Sequence, residues 1–103
     1  MNNNRIYYTV LVHVLKDKYK IFNEYENKVL PILQKYGGKL ELRLKTDKSI
    51  EETDKPDEIH VISFDSESDF ENYQIDEERE KHRHLFESSV EDSVLIKGNL
   101  INN

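Results

Sequence analysis

A chain of 103 residues suits one small domain, and its lack of cysteine excludes disulfides, thiolate catalysis, zinc–thiolate sites and iron–sulfur clusters. Apolar and charged residues are nearly balanced, at 36% and 35%, while six tyrosines and four phenylalanines supply enough bulk to argue against disorder. The net charge of −6 is uneven, with ten Lys/Arg against five Asp/Glu in residues 1–50 and two against thirteen in residues 51–80; without a basic stripe, no nucleic-acid partner is expected.

The start MNNNR lacks the apolar stretch of a signal peptide, and residues 1–4 read as a flexible tail. No run approaches the roughly 20 apolar residues of a membrane span, so a cytoplasmic chain with no membrane partner is expected. "RIYYTVLVHVL", Arg5 to Leu15, is rich in β-branched and aromatic residues. Ile6, Tyr8, Val10, Val12 and Val14 fall on one side of a strand, and Tyr7, Thr9, Leu11, His13 and Leu15 on the other. Both sides are largely apolar, as in a central strand covered on two faces.

In "KDKYKIFNEYENKVLPILQKY", Phe22, Tyr25, Val29, Ile32, Leu33 and Tyr36 form one helical stripe. Asp17 is the expected N-cap, Pro31 a kink, Gly37 a left-handed end and Gly38 the release into a strand. That strand, "KLELRLK", sets Leu40, Leu42 and Leu44 against Glu41, Arg43 and Lys45, which predicts an edge strand with one buried face. A polar loop follows. "EIHVISF" is apolar on both sides, with Ile59, Val61 and Ser63 against His60, Ile62 and Phe64, and reads as a second central strand. The next stretch is helical in two pieces. Ser66 and Asp69 begin the first, with Phe70 and Tyr73 buried; Asp76 caps the second, anchored by Leu85 and Phe86. "SVLIKGNLI" closes the chain as a strand, with Gly98 as a bulge or bend.

The order β-α-β-β-α-β predicts a single α+β domain over residues 1–103. Its fold is ferredoxin-like, an antiparallel sheet of order 4-1-3-2 with both helices on one face. The other face is then bare. A chain this short buries about 65% of its unfolded surface, so wetting four or five more large apolar side chains, each worth about 1.5–3 kcal/mol, would exhaust its stability. The simplest cover is a second copy, making a homodimer through the sheet face.

The segments "LPILQKYGGKLELR", "PDEIHVISFDSESDFENY" and "HRHLFESSVEDSVLIKG" resemble the dimeric α/β-barrel superfamily, most closely its short uncharacterised branch related to antibiotic-biosynthesis-type monooxygenases. The resemblance spans about Tyr8 to Gly98. It implies two sheets facing across a barrel, and a small-molecule pocket between sheet and helices in each subunit. Superfamily members include cofactor-independent monooxygenases, isomerases and haem-degrading enzymes. The haem-degrading members use a pocket tryptophan, which this chain lacks, so no cofactor is expected.

Candidate catalytic residues are His13 and His60, on adjacent central strands, since imidazole can take a proton from an enolisable or phenol-like compound near neutral pH. The plainer reading of each is a hydrogen-bonded histidine of the sheet or interface. Tyr7 and Tyr8, on opposite faces, and Arg43 are candidate substrate-binding residues; a core role for the tyrosines, and for Arg43 an ion pair with Glu41 or with the partner's acidic segment, compete with this. No metal site is expected: His82 and His84 of "KHRH" stand about 200° apart on a helix. "YGGK" lacks the spacing of a phosphate loop, and Ser88 and Ser89 have no evident base. Three functions remain open: a small-molecule-binding homodimer, a cofactor-independent monooxygenase or isomerase, and a non-catalytic structural or regulatory dimer.

Overall fold

The computed structural model describes residues 4–101. Of the expected tail, residues 1–3 lie outside the described residues and Asn4 is exposed. Strand β1 (Ile6–Val14) leads into helix α1 (Tyr19–Val29) and then a 3-10 segment, Leu30–Tyr36. Strands β2 (Lys39–Lys45) and β3 (Glu58–Phe64) follow, and short helices α2 (Glu67–Gln74), α3 (Glu77–Glu80) and α4 (Arg83–Ser89) run into β4 (Val90–Asn99). The strands lie in the order β2-β3-β1-β4, all antiparallel, which is the expected ferredoxin-like arrangement of an α+β domain. No helix among the described residues is long and apolar enough to cross a membrane.

Register divides the side chains between two faces, because directly paired residues of an antiparallel ladder point the same way. On the helix side, one row runs Leu40, Ile62, Tyr8, Lys97 and another Arg43, His60, Val10, Leu95. Tyr8, Leu33, Ile62, Phe64, Phe70 and Tyr73 form the buried core there, with Tyr8 stacked on Phe70 at a centroid distance of 3.7 Å. On the opposite side, one continuous row runs Leu44, Ile59, Leu11, Val94 and the next Leu42, Val61, Thr9, Ile96. Within the single chain Leu42, Leu44, Val94 and Ile96 are exposed, while Tyr7, Leu11, Ile59 and Val61 are half-buried.

The expected single face of β2 is corrected by a bulge. The pairing jumps from Leu40↔Ile62 to Leu42↔Val61, so Glu41 is an extra residue in the ladder. Leu40 therefore faces the helices, whereas Leu42 and Leu44 face away, and Arg43 turns inward beside His60. Gly98 is not a bulge; it pairs regularly with Tyr7, and the irregularity of β4 lies at its start, opposite His13 and Val14. Leu100 and Ile101 lie beyond the strand.

The helices follow their expected stripe with altered ends. Phe22, Tyr25, Val29 and Leu33 are buried. Pro31 does more than kink the helix: it stands in the first turn of the 3-10 segment, where its missing N–H costs nothing. Asp17 is no cap; it has φ 65° in the turn before α1, and no side chain caps that helix. Ser66 and Asp76 do cap, accepting from the amides of Asp69 and Arg79. The second helical region comprises three short helices instead of two.

Gly37 has φ 68° and ends the 3-10 segment, and the Gly38 amide bonds the Leu33 carbonyl at 2.9 Å. A Cβ on Gly38 would stand 2.6 Å from Cε1 of Phe64 and 3.0 Å from Cδ2 of Leu33. Phe64 is fully buried and cannot swing aside. Gly38→Ala is therefore expected to cost about 1–3 kcal/mol in urea unfolding. An unchanged midpoint would show that this turn has slack.

Candidate functional site

A cavity of about 460 Å³ lies between the sheet and the helices. Val10, Val12, Ile62 and Leu95 form its sheet wall; Tyr25, Glu26, Val29, Phe70, Tyr73 and Phe86 come from the helices, and His60, Arg79, Glu80 and Arg83 bring charge or hydrogen-bonding capacity to it. The volume falls in the range usual for small-ligand pockets.

His60 belongs to a buried polar chain that begins outside the cavity. Arg43 grips Glu58 with two hydrogen bonds, Nε to Oε1 at 2.7 Å and Nη2 to Oε2 at 3.1 Å, and also donates to Asn23. The Tyr19 hydroxyl donates to the same carboxylate. His60 Nε2 lies 2.7 Å from Glu58 Oε1, and its Nδ1 lies 3.9 Å from Glu26 Oε2. Phe22 is stacked near the imidazole, with ring centroids 6.2 Å apart. Glu26, Glu58 and His60 are all buried.

The two carboxylates have opposite electrostatics. Burial alone would raise the Glu58 carboxyl, but hydrogen bonds from His60, Arg43 and Tyr19 outweigh it and take the pKa down to about 2. Ionised Glu58 can only accept, so the proton on the 2.7 Å bond resides on His60 Nε2. In the neutral ring, Nδ1 is then left as the acceptor on the side of Glu26. Glu26 makes no short ion pair, and burial raises its carboxyl above the ordinary range, with His60 and Arg43 offsetting part of the rise. A fixed tautomer beside a cavity is what a general base requires.

The sequence candidates separate. His60 lines the cavity, but His13 lies on the far face, paired with Asp92, where its Nε2 is 3.3 Å from the Asp54 carbonyl oxygen. The two histidines thus do not converge. Tyr7 also lies on the far face. Tyr8 is packed in the core against Phe64 and Phe70 and does not line the cavity. Arg43 is in an ion pair, with Glu58 as its partner within the chain instead of Glu41. Glu41 accepts from Ser63. His82 lies 3.3 Å from Glu78, and the Ser89 hydroxyl donates to the Leu85 carbonyl at 2.6 Å.

Glu58, Glu26 and Arg79 were not among the candidates. Glu58 could have been found, since it precedes His60 by two residues on one strand and must share its face. Glu26 also carries a sequence sign: with Phe22, Val29 and Leu33 it keeps the spacing of a single helix face. Arg79 carries none, being one charge in the run "EEREKHRH".

Glu26 also sets a pH dependence. Because its folded pKa is raised, the folded state keeps a proton that the unfolded chain has already released, and stability falls as pH rises through that window. Glu26→Gln removes this penalty. The thermal midpoint should rise by a few degrees at neutral pH, and by less near pH about 4, where the wild-type carboxyl is protonated. A lower midpoint at neutral pH would mean that His60 holds Glu26 as a needed carboxylate.

The fold is shared with several solved structures. A protein of unknown function from Rhodopseudomonas palustris superposes with a TM-score of 0.81 at 18% identity, covering 99% of this chain and 86% of that one. A dimeric protein of unknown function and ferredoxin-like fold from Bacteroides fragilis gives 0.73 at 14%, covering 93% and 96%. A dabb family protein from Mesorhizobium loti, also of ferredoxin-like fold, gives 0.70 at 14%, covering 96% and 99%. At such identities the likeness speaks for the fold alone. No curated protein matches the chain. The family model described as a domain of unknown function, DUF1330, matches residues 6–99, and the chain accordingly belongs to the DUF1330 family.

Proposed function

We propose that this protein is a homodimer that binds a small molecule in the cavity between its sheet and helices. The observation that carries the reading is the cavity itself: about 460 Å³ of space, apolar on most walls, with His60 and Glu26 at its side. A merely structural platform would fill such a space with side chains. The dimer is supported by the two apolar rows on the far face of the sheet, and by a similar fold described as dimeric in the Bacteroides fragilis protein. A second copy related by a two-fold axis would bring like rows together. The cavity lies on the other side of the sheet, so the two functions use different faces.

A second reading is favoured by the Glu58–His60 bond: a cofactor-independent isomerase or monooxygenase acting on a small aromatic or enolisable compound. In it, His60 Nδ1 takes the proton of an activated C–H bond, whose electron pair passes into a neighbouring carbonyl. Return of the proton to a different carbon is isomerisation. Attack of the carbanion on dioxygen, the co-substrate that supplies the oxidant, forms a C–O bond and a peroxide that takes the proton back from His60. Cleavage of its O–O bond with loss of water leaves one oxygen in the product as a carbonyl, which is monooxygenation. The orienting role falls to Glu58, held by Arg43 and Tyr19. His13 has no part in this chemistry.

A thermal-shift screen of small aromatic and enolisable compounds tests both readings. At least one compound should raise the midpoint of the wild type, and Leu95→Trp, which puts an indole at the cavity wall, should abolish that shift. For a compound that binds, exchange of its acidic C–H for deuterium should fall about 10²–10⁴-fold in His60→Ala and stay unchanged in His13→Ala. Full exchange in His60→Ala ends the catalytic reading. A binder unaffected by Leu95→Trp ends the cavity reading.

A further inference from the structure

The cavity holds two guanidinium groups, and they are not equivalent. Arg83 is bonded through Nε to the carboxylate of Glu80. Arg79 is within ion-pair distance of no carboxylate among the described residues, and its Nε is buried without a hydrogen-bond partner. Its position is nevertheless held. The guanidinium carbon lies 4.6 Å from the centre of the Tyr73 ring, Nη1 donates a long 3.4 Å bond to the Gln74 carbonyl, and the backbone amide is capped by Asp76 at 2.9 Å. Asp76 is in turn fixed by Lys35 and the Tyr36 hydroxyl, whose hydrogen bonds hold its carboxyl well below the usual range. A buried guanidinium N–H that finds no acceptor is uncommon, since such groups are normally satisfied. That N–H is itself shielded from solvent, while the Arg79 side chain as a whole lines the cavity, beside apolar walls and close to a protein carboxyl, Glu26, that burial disfavours as an anion.

We infer that the cavity takes a ligand bearing a carboxylate, with Arg79 as its anchor and the apolar body of the ligand against Val10, Ile62 and Leu95. This rests on the reading of the cavity as a ligand site, and it names the class of compound. A planar carboxylate can accept from two N–H groups of one guanidinium at once, which a neutral amide cannot match. Stacking on Tyr73 keeps the fork from having to be ordered on binding. Glu80 is already engaged by Arg83, and Glu26 sits beside His60, so neither carboxylate is in ion-pair contact with the fork.

The test pairs each acid with its uncharged isostere: phenylacetate with phenylacetamide, and hexanoate with hexanamide, titrated calorimetrically into the full chain at neutral pH. At least one acid should bind about tenfold or more tighter than its amide. Arg79→Gln should erase that preference, and Arg79→Lys should keep part of it. Equal binding of acid and amide, both lost in Leu95→Trp, would overturn the anion preference while leaving the cavity reading intact. A preference that survives Arg79→Gln would overturn Arg79 as the anchor. If neither acid nor amide binds, the inference fails together with the cavity reading. The acid–amide ratio in the wild type decides the ligand class even if an Arg79 variant does not fold.

Discussion

Four strands need cover on two faces, and the helices of this chain roof only one. That constraint organises the rest. The helix-side rows carry the buried core residues Tyr8, Ile62 and Phe64, and the polar chain from Arg43 to His60. The far-side rows carry Leu44, Ile59, Leu11 and Val94, then Leu42, Val61, Thr9 and Ile96, running unbroken across all four strands. An apolar surface spread over a whole sheet, at about 25 cal/mol for each Å² removed from water, is too costly for a small domain to leave wet. The proposed homodimer would set it against another surface of the same kind.

One bulge serves both faces. The extra residue Glu41 shifts the parity of β2, so that Leu42 and Leu44 complete the far-side rows while Arg43 swings to the helix side and clasps Glu58. Without it, three leucines would face one way and Arg43 would point at the apolar face. The clasp matters for the cavity because Glu58 orients His60. Breaking a buried ion pair by removing one partner leaves an uncompensated charge, typically the most damaging kind of polar change. The architecture of the sheet edge and the tautomer of the cavity histidine therefore share a cause.

Much of this is legible in the amino-acid sequence. The two-sided patterns of Arg5–Leu15 and Glu58–Phe64 place those strands centrally, and the caps at Ser66 and Asp76 are visible from residue type and spacing. The bulge is not. A Leu-x-Leu-x-Leu alternation reads as one face, and a single unpaired residue in the ladder overturns that without leaving a mark in the composition. The left-handed Asp17 was likewise hidden, since an aspartate before a helix resembles a cap in sequence. At the cavity, His60 stands out in the sequence because histidine carries its own chemistry, and the fold sets it in the lining. Arg79 carries no such sign, because its place at the cavity and its lack of an ion-pair carboxylate among the described residues are made by the fold.

Sedimentation velocity across the micromolar range shows whether a second copy covers the far face, with Val61→Lys as a companion because it sets a charge in the middle of the far-side rows. The wild type should sediment as one species of twice 12.3 kDa, and the variant should lose that species. A folded wild-type monomer of 12.3 kDa at every concentration would contradict it, because the sheet would then tolerate its apolar face in water.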